Sequence, residues 1–479
     1  MAWSSDGLSR RKFLRHGLEG TLAASLFSGF PLGGCGWLRS LRKPNILLVT
    51  IDTLRFDHLG CYGYPRETSP FIDSFAREAL LFENCFAHAP NTWSSIASLM
   101  TGFLPHETKV MLRVPIAPEV PTLPTTLRDH GYATAAVVSN FALRKGNGYE
   151  RGFGIYDDRL GEKESGRKMP ERTAVHTSDR AIELIERFEK ERFFLWVHYQ
   201  DPHGPYTPPT RFSDRFSRSL EIDRENGRRR LPLNSTNSGI GGIPRYQRLG
   251  GHRDYAYYVA EYDAEIRYVD EQLERLFGAM KKRGLYEDAL ILLTADHGEG
   301  MGERDYFFSH GDNLYGHQIR VPCILRDGGR TKGRSARVVQ HVDFVPTVLR
   351  AAGIKPDERL RGRDLQALDE KPREIFGAMF SKLSPVDDYD SYLLHDGMKL
   401  LHTPFSDRKY QLFDLRTDSS EERDLVEESS HRAVFEAMRS RLNNLKAEDR
   451  LGLEGSLFEA LRDLTPEETK ALKALGYID

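Results

Sequence analysis

Four separated segments of the chain carry the residue types that could do chemistry. In Ile51-Asp52-Thr53-Leu54-Arg55 an acid follows an apolar run, where it serves either as a metal ligand or as a helix cap. Pro90-Asn91-Thr92-Trp93-Ser94-Ser95-Ile96-Ala97-Ser98-Leu99-Met100-Thr101-Gly102 reads as a turn and then a helix, with Gly102 as its stop signal. Thr92 at its start is either an N-cap or a nucleophile. In the second case the helix N-terminus would offer amides and a positive dipole to an anion. His198-Tyr199-Gln200-Asp201-Pro202-His203-Gly204-Pro205-Tyr206 is a polar loop with two histidines in six residues, directly after another apolar run. The fourth segment is Thr294-Ala295-Asp296-His297-Gly298-Glu299, followed by Ser309-His310-Gly311-Asp312-Asn313-Leu314-Tyr315. Its adjacent Asp296 and His297 offer two hard ligands to one crevice, and it is the most specific of the four.

The elements that must position these groups are legible from the apolar pattern. Asn45–Ile51, Ala133–Ser139, Phe193–His198 and Ala289–Ala295 are short, mostly apolar runs, as expected of strands buried on both faces. Helical stretches separate them. The clearest spans Tyr255 to Lys282, where Val259, Tyr262, Ile266, Val269, Leu273 and Leu276 recur at spacings of three and four. Such alternation predicts an α/β fold with a mostly parallel sheet covered on both faces. Ligands of such sheets bind beyond the carboxyl ends of the strands, where Asp52, His198 and Asp296-His297 fall. Residues 211–251 are polar and Gly-rich, read either as a surface insertion near the site entrance or as a solvated loop. From Arg373 the pattern changes to short strands, with an Asp396-Gly397 hairpin turn, which predicts an antiparallel sheet followed by a polar helix and tail.

The 68 Lys and Arg balance 70 Asp and Glu, so no basic excess points to nucleic acid. No apolar run is long enough to span a bilayer. Four cysteines are too few for a disulfide scaffold, and their spacing fits no zinc site. At the N-terminus, Ser9-Arg10-Arg11-Lys12-Phe13-Leu14-Arg15 is a twin-arginine export pattern, followed by a weakly apolar stretch and Leu32-Gly33-Gly34-Cys35, a lipoprotein-type cleavage box. Residues 1–34 are therefore expected to be a signal peptide. Cleavage would leave a lipidated Cys35 holding a periplasmic or cell-envelope protein to the membrane. The remainder carries −4 against −2 for the whole chain, so an anionic substrate must be drawn by local groups.

In their order and spacing these motifs resemble the sulfatase family of the alkaline-phosphatase-like superfamily, over roughly Lys43 to Asp424. The resemblance implies a large mixed, mostly parallel sheet flanked by helices, with a smaller C-terminal domain on an antiparallel sheet. The expected boundaries are 35–372 for the catalytic domain and 373–479 for the smaller domain and helical tail. Carried over by position, Asp52, Asp296 and His297 match metal ligands, Thr92 matches the nucleophile, and His203 and His310 match contacts to the anion or leaving group. The chain departs from the family pattern in four places. Thr92 stands where Cys or Ser is usual, Ser94 and Ile96 replace Pro and Arg, and Thr53 replaces a second Asp. Val138-Ser139-Asn140-Phe141 replaces Gly-Lys-Trp-His, which reads as the loss of two cationic or hydrogen-bonding groups. The remaining Asp, Thr, Asp, His set resembles the single-metal sites of membrane phosphoglycerol transferases and Thr-dependent phosphodiesterases.

The reaction these residues imply is nucleophilic displacement at tetrahedral phosphorus or sulfur. One divalent cation on Asp52, Asp296, His297 and Thr92 activates the hydroxyl, with Ca²⁺, Mg²⁺ or Mn²⁺ favoured over Zn²⁺. His310 is the expected leaving-group acid and His203 an anion contact or its alternate. His317 and Asp312 are candidates for supporting the metal shell, nearer to structural. The leading function is hydrolysis of a sulfate or phosphate ester, with a glycan or a lipid head group as the candidate substrate. The alternatives are a phosphoryl-alcohol transferase acting on envelope glycans and an inactive family member that binds anions.

Overall fold

A computed structural model describes residues 43–110, 114–163, 169–217, 229–367, 371–380 and 388–452. The expected leader, Cys35, the 218–228 part of the insertion and the tail beyond 452 lie outside the described residues. From Pro44 onward the chain forms one compact unit. No helix among the described residues is long and apolar enough to cross a membrane.

In chain order the strands are β1 (Ile46–Ile51), β2 (Leu80–Phe86), β3 (Ala133–Val138), β4 (Ile155–Asp157), β5 (Glu162–Lys163), β6 (Pro170–Glu171), β7 (Phe193–Tyr199), β8 (Leu290–Ala295), β9 (Arg320–Asp327) and β10 (Gly333–Gln340). A second group is β11 (Glu374–Met379), β12 (Asp390–His395), β13 (Met398–His402) and β14 (Tyr410–Asp414). Eight strands form the main sheet in the order β10-β2-β9-β8-β1-β7-β3-β4. Only β9 runs against the others, pairing antiparallel with β2 and β8. The four apolar runs of the sequence are thus β1, β3, β7 and β8, side by side in the middle of the sheet. Every residue of β1, β7 and β8 is buried, so these strands show no polar alternation. β5 and β6 form a separate pair.

Register decides what the sheet can hold. Thr50 of β1 lies beside His198 of β7 and Thr294 of β8, and Ile51 lies beside Tyr199 and Ala295. Asp52 and Asp296 therefore leave neighbouring strands at the same level, next to the end of β7.

The long helix spans Tyr255–Lys282, as its periodicity predicts. Asp254 caps it by accepting the Ala256 N–H, and Lys281 and Lys282 complement the dipole at its end. Tyr262, Ile266, Val269, Leu273 and Leu276 are buried in the main core. Asp270 on the same helix accepts the N–H groups of Phe71 and Ile72. It thereby satisfies the start of the Pro70–Arg77 helix, which Ser69 leaves uncapped.

The smaller sheet is antiparallel, in the order β11-β12-β13-β14. The β12–β13 turn uses Asp396 and Gly397, both at positive φ, as a two-residue hairpin requires. Its side chains alternate between two cores. Leu393, Leu400 and Leu412 meet Phe435, Met438 and Leu442 of the Arg432–Ala447 helix, while Tyr392, Leu394, Leu401 and Phe413 meet Phe86, Leu314 and Ile319 of the larger part. Burial of both faces explains why these strands also read as nearly continuous apolar runs.

Candidate active site

The carboxyl ends of β1, β7 and β8 bring Asp52, His198 and Asp296 together, each fully buried, with one ligand atom apiece within 4.8 Å of the others. Asp296 Oδ1 accepts the backbone N–H groups of Thr53, at 3.1 Å, and His297, at 2.8 Å. Its Oδ2 has no hydrogen bond among the described residues. To reach Asp296, Thr53 adopts a left-handed backbone, φ 55°, unfavourable for a β-branched residue. Tyr262, whose hydroxyl donates to the Thr53 carbonyl at 2.8 Å, holds the turn.

His297 fixes the geometry of the centre. Its Nδ1 is 2.9 Å from the Gly298 carbonyl, which can only accept, so Nδ1 donates and Nε2 presents a lone pair. Around Nε2 stand Thr92 Oγ1 at 3.4 Å, Asp296 Oδ2 at 3.5 Å and Asp52 Oδ1 at 3.7 Å. Four residues from three separated segments thus converge on one point.

Thr92 is the first residue of a helix whose cap is its neighbour. Asn91 accepts the Ser94 N–H at 3.0 Å, and Gly102 ends the helix at φ 76°. The capping reading of Thr92 is overturned: Asn91 supplies the cap, and the Thr92 hydroxyl points to His297 instead. All ten residues of the Thr92–Thr101 helix are buried, and Ser95 ties it to the site by donating to the Asp296 carbonyl at 2.5 Å.

A second line of groups leads outward. The His310 ring lies 4.6 Å from the His297 ring and 4.9 Å from the His203 ring. His310 Nδ1 is 3.2 Å from Glu299 Oε1, and Tyr206 donates to Glu299 Oε2 at 3.2 Å. Burial pushes the Glu299 carboxyl up to about 8. His203 Nδ1 donates to the Gly204 carbonyl at 2.7 Å. The described part of the insertion packs here. Phe307 N–H donates to Gly239, Tyr246 donates to the Phe308 carbonyl, and the Tyr246 ring lies 6.5 Å from that of His203. Gly239 and Tyr246, from the described part of the insertion, thus border the site.

Asp52, Thr92, Asp296 and His297 therefore meet, with His310 and His203 in line beyond them. His317 and Asp312 do not join: His317 stacks on Tyr315, and Asp312 accepts from the Tyr306 hydroxyl. Ser139 and Phe141 stand where the family has Lys and His, while Asn140, in the place of the Trp, donates to Asp52 Oδ2 at 2.5 Å. Two further groups received no role from the sequence. His198 was visible as the end of an apolar run and as one of two histidines in six residues, and its approach to Asp52 depends on strand register. Glu299 lies inside the Asp-His-Gly-Glu motif, but its partner His310 is eleven residues away.

The donor set suits a divalent cation. Burial, and then the charge of Asp52, push the Asp296 carboxyl upward, as two adjacent carboxylates without bulk water require. A cation relieves this, and Asp296 Oδ2 and His297 Nε2 both face the point where it would sit. Carboxylate oxygens, a hydroxyl and one imidazole fit Mn²⁺, Mg²⁺ or Ca²⁺, with Zn²⁺ as the alternative.

Acids, a lone-pair imidazole and a helix-start hydroxyl thus gather at the carboxyl edge of a mixed sheet. The sulfatase family matches residues 44–354, and the C-terminal part of N-sulphoglucosamine sulphohydrolase matches residues 302–448. The chain belongs to the sulfatase family. It is 25% identical over 438 residues to the uncharacterized sulfatase YidJ of Escherichia coli K12, covering 81% of this chain and 84% of that one. Its fold is similar to that of BT4656, solved with its substrate D-glucosamine-2-N,6-O-disulfate, at a TM-score of 0.70 and 19% identity, covering 86% of this chain and 100% of the other. It is also similar to the phosphonate monoester hydrolase of Agrobacterium radiobacter, at a TM-score of 0.64 and 19% identity, covering 84% and 95%.

Proposed function

We propose that this protein is a divalent-metal-dependent hydrolase of sulfate or phosphate esters that uses Thr92 as nucleophile. The convergence of Thr92 Oγ1, Asp52 Oδ1 and Asp296 Oδ2 on His297 Nε2 carries this reading. Asp52, Asp296, His297 and Thr92 would hold the cation, which supplies positive charge that favours a deprotonated Thr92 and offsets charge on the transferred group. Thr92 Oγ1 attacks the sulfur or phosphorus in line, and the bond to the leaving-group oxygen breaks as that oxygen takes a proton from His310. His310 is held by Glu299 for this transfer. Water then attacks the Thr92 ester, giving its proton back to His310 and releasing the anion. His203 binds the departing or bound anion. The likeness to a structure holding a sulfated glucosamine supports an anionic glycan ester as substrate.

The protein is exported by the twin-arginine route and anchored through Cys35, on the strength of the Arg10-Arg11 and Leu32–Cys35 patterns. Fatty-acid labelling that persists in Cys35→Ala would refute the anchor.

The test is to load the purified protein with Mn²⁺, Mg²⁺, Ca²⁺ or Zn²⁺ in turn and assay aryl sulfate, phosphate monoester, phosphonate monoester and phosphodiester substrates. One ester class turned over with a metal, and lost in Thr92→Ala, is the expected result. Activity surviving Thr92→Ala sinks the nucleophile assignment.

A further inference from the structure

His198 belongs to the buried trio with Asp52 and Asp296, so it stands either as a further ligand or as a group acting on one. The hydrogen bonds of Thr50 decide between the two. The Thr50 hydroxyl accepts from the Trp196 indole N–H, at 2.9 Å, and lies 2.8 Å from His198 Nδ1. An indole N–H can only donate, so the Thr50 proton must go elsewhere. Among the described residues no other group bonds to this hydroxyl. A buried hydroxyl left without an acceptor is unfavourable, and His198 Nδ1 is the acceptor within reach. With Nδ1 accepting, the ring proton sits on Nε2, which is 3.5 Å from Asp52 Oδ2, a charge contact too long for a hydrogen bond, and has no hydrogen-bond partner among the described residues. Asn140 donates to the same oxygen.

We propose that His198 is a positioning residue: it keeps a proton on Nε2, directs it at Asp52 Oδ2, and leaves Asp52 Oδ1 as the oxygen that faces the cation. His198 is then not a ligand. The two histidines hold opposite tautomers, each set by the partner of Nδ1: a carbonyl for His297, a donating hydroxyl for His198. Trp196-Thr50-His198-Asp52 is a relay running across β7 and β1, fixed by the register of the two strands. The inference rests on the metal reading of the site, and its test separates the two.

Side-chain ¹⁵N–¹H spectra of histidine-labelled protein, with His198 and His297 assigned through His198→Gln and His297→Gln, read both tautomers before and after Zn²⁺ is added. We expect a proton on Nε2 of His198 in both states, and a Zn²⁺-dependent change at Nε2 of His297 alone. Thr50→Val should shift the His198 proton toward Nδ1, and Thr50→Ser should restore it. By Zn²⁺ titration followed by fluorescence, His198→Ala should weaken binding about 10–100-fold, and His198→Gln, whose amide can donate from the same place, should recover most of it. A proton on His198 Nδ1 in the wild type, or a Zn²⁺-dependent loss of the Nε2 proton, overturns the inference and leaves the metal reading standing. No effect at either ring with Zn²⁺, Mg²⁺ or Ca²⁺ in turn overturns the metal reading, and this inference with it.

Discussion

Thr92 Oγ1 and His297 Nε2 stand 3.4 Å apart across 205 residues of sequence. The contact joins the start of a fully buried helix to the end of the central strand β8, so neither side can drift without disturbing the core. It places a hydroxyl among the groups that would hold a cation, and the first prediction follows from it. Thr92→Ala should lower kcat by at least about 1,000-fold while leaving the thermal unfolding temperature nearly unchanged, because Asn91 caps the helix. Thr92→Ser should keep measurable turnover. Steady-state assays beside a thermal melt check both.

The buried carboxylates predict opposite effects of one substitution with and without metal. In chelator-treated protein, Asp296→Asn removes a charge that burial and Asp52 disfavour, so the melting temperature should rise. With metal at 100 times its Kd the wild type gains about 2.7 kcal/mol, and the variant should gain almost none. Calorimetry with and without metal tests the crossing, and a variant that binds metal as the wild type does would remove Asp296 from the ligand set.

His310 is held by Glu299 and lies next to His297. As a leaving-group acid it matters most when the departing oxygen is basic. His310→Asn should cost about 10²- to 10⁴-fold on an alkyl ester and much less on a nitrophenyl ester. An equal loss on both would assign His310 to anion binding instead.

A pH dependence of stability arises beside the site. Asp201 and Glu265 form a buried carboxyl pair joining the His203 loop to the Tyr255–Lys282 helix; burial pushes Asp201 up to about 6 and Glu265 further upward. Between the ordinary carboxylate range and about pH 6 the native pair binds more protons than the unfolded chain. Stability contributed by this pair therefore falls as pH rises through that window. Asp201→Asn should flatten the fall. Denaturant midpoints of both proteins from pH 4.5 to 7.5 measure it, and parallel curves would refute it.

Gly298 is required by close approach. A Cβ there would lie 2.1 Å from the His317 carbonyl oxygen, in backbone that cannot swing away. Gly298→Ala should destabilise the protein by about 1–3 kcal/mol and loosen His297, whose Nδ1 bonds the Gly298 carbonyl. Urea unfolding and metal titration should both show the loss.

The sequence by itself determined the four central strands of the main sheet, the strands of the smaller sheet, the long helix and the motif-bearing segments. β1, β7 and β8 are mostly apolar because both faces are buried, and the stripe on Tyr255–Lys282 is periodic because Tyr262, Ile266, Val269, Leu273 and Leu276 meet the main core. Asp52 and Asp296 were legible as strand-end acids for the same reason, and Asp396-Gly397 as a turn because its backbone demands it. Tertiary structure alone decided which polar atoms face one another. Whether Thr92 or Asn91 caps the helix depends on which of them leaves the helical backbone, and here it is Asn91. That Asn140, two residues past β3, reaches Asp52 depends on β3 lying beyond β7. The pairing of His198 with Thr50, and hence the side of the ring that carries its proton, depends on parallel register. Side-chain periodicity writes burial into a sequence, but register and hydrogen-bond direction arise between segments distant along the chain, so no local pattern records them.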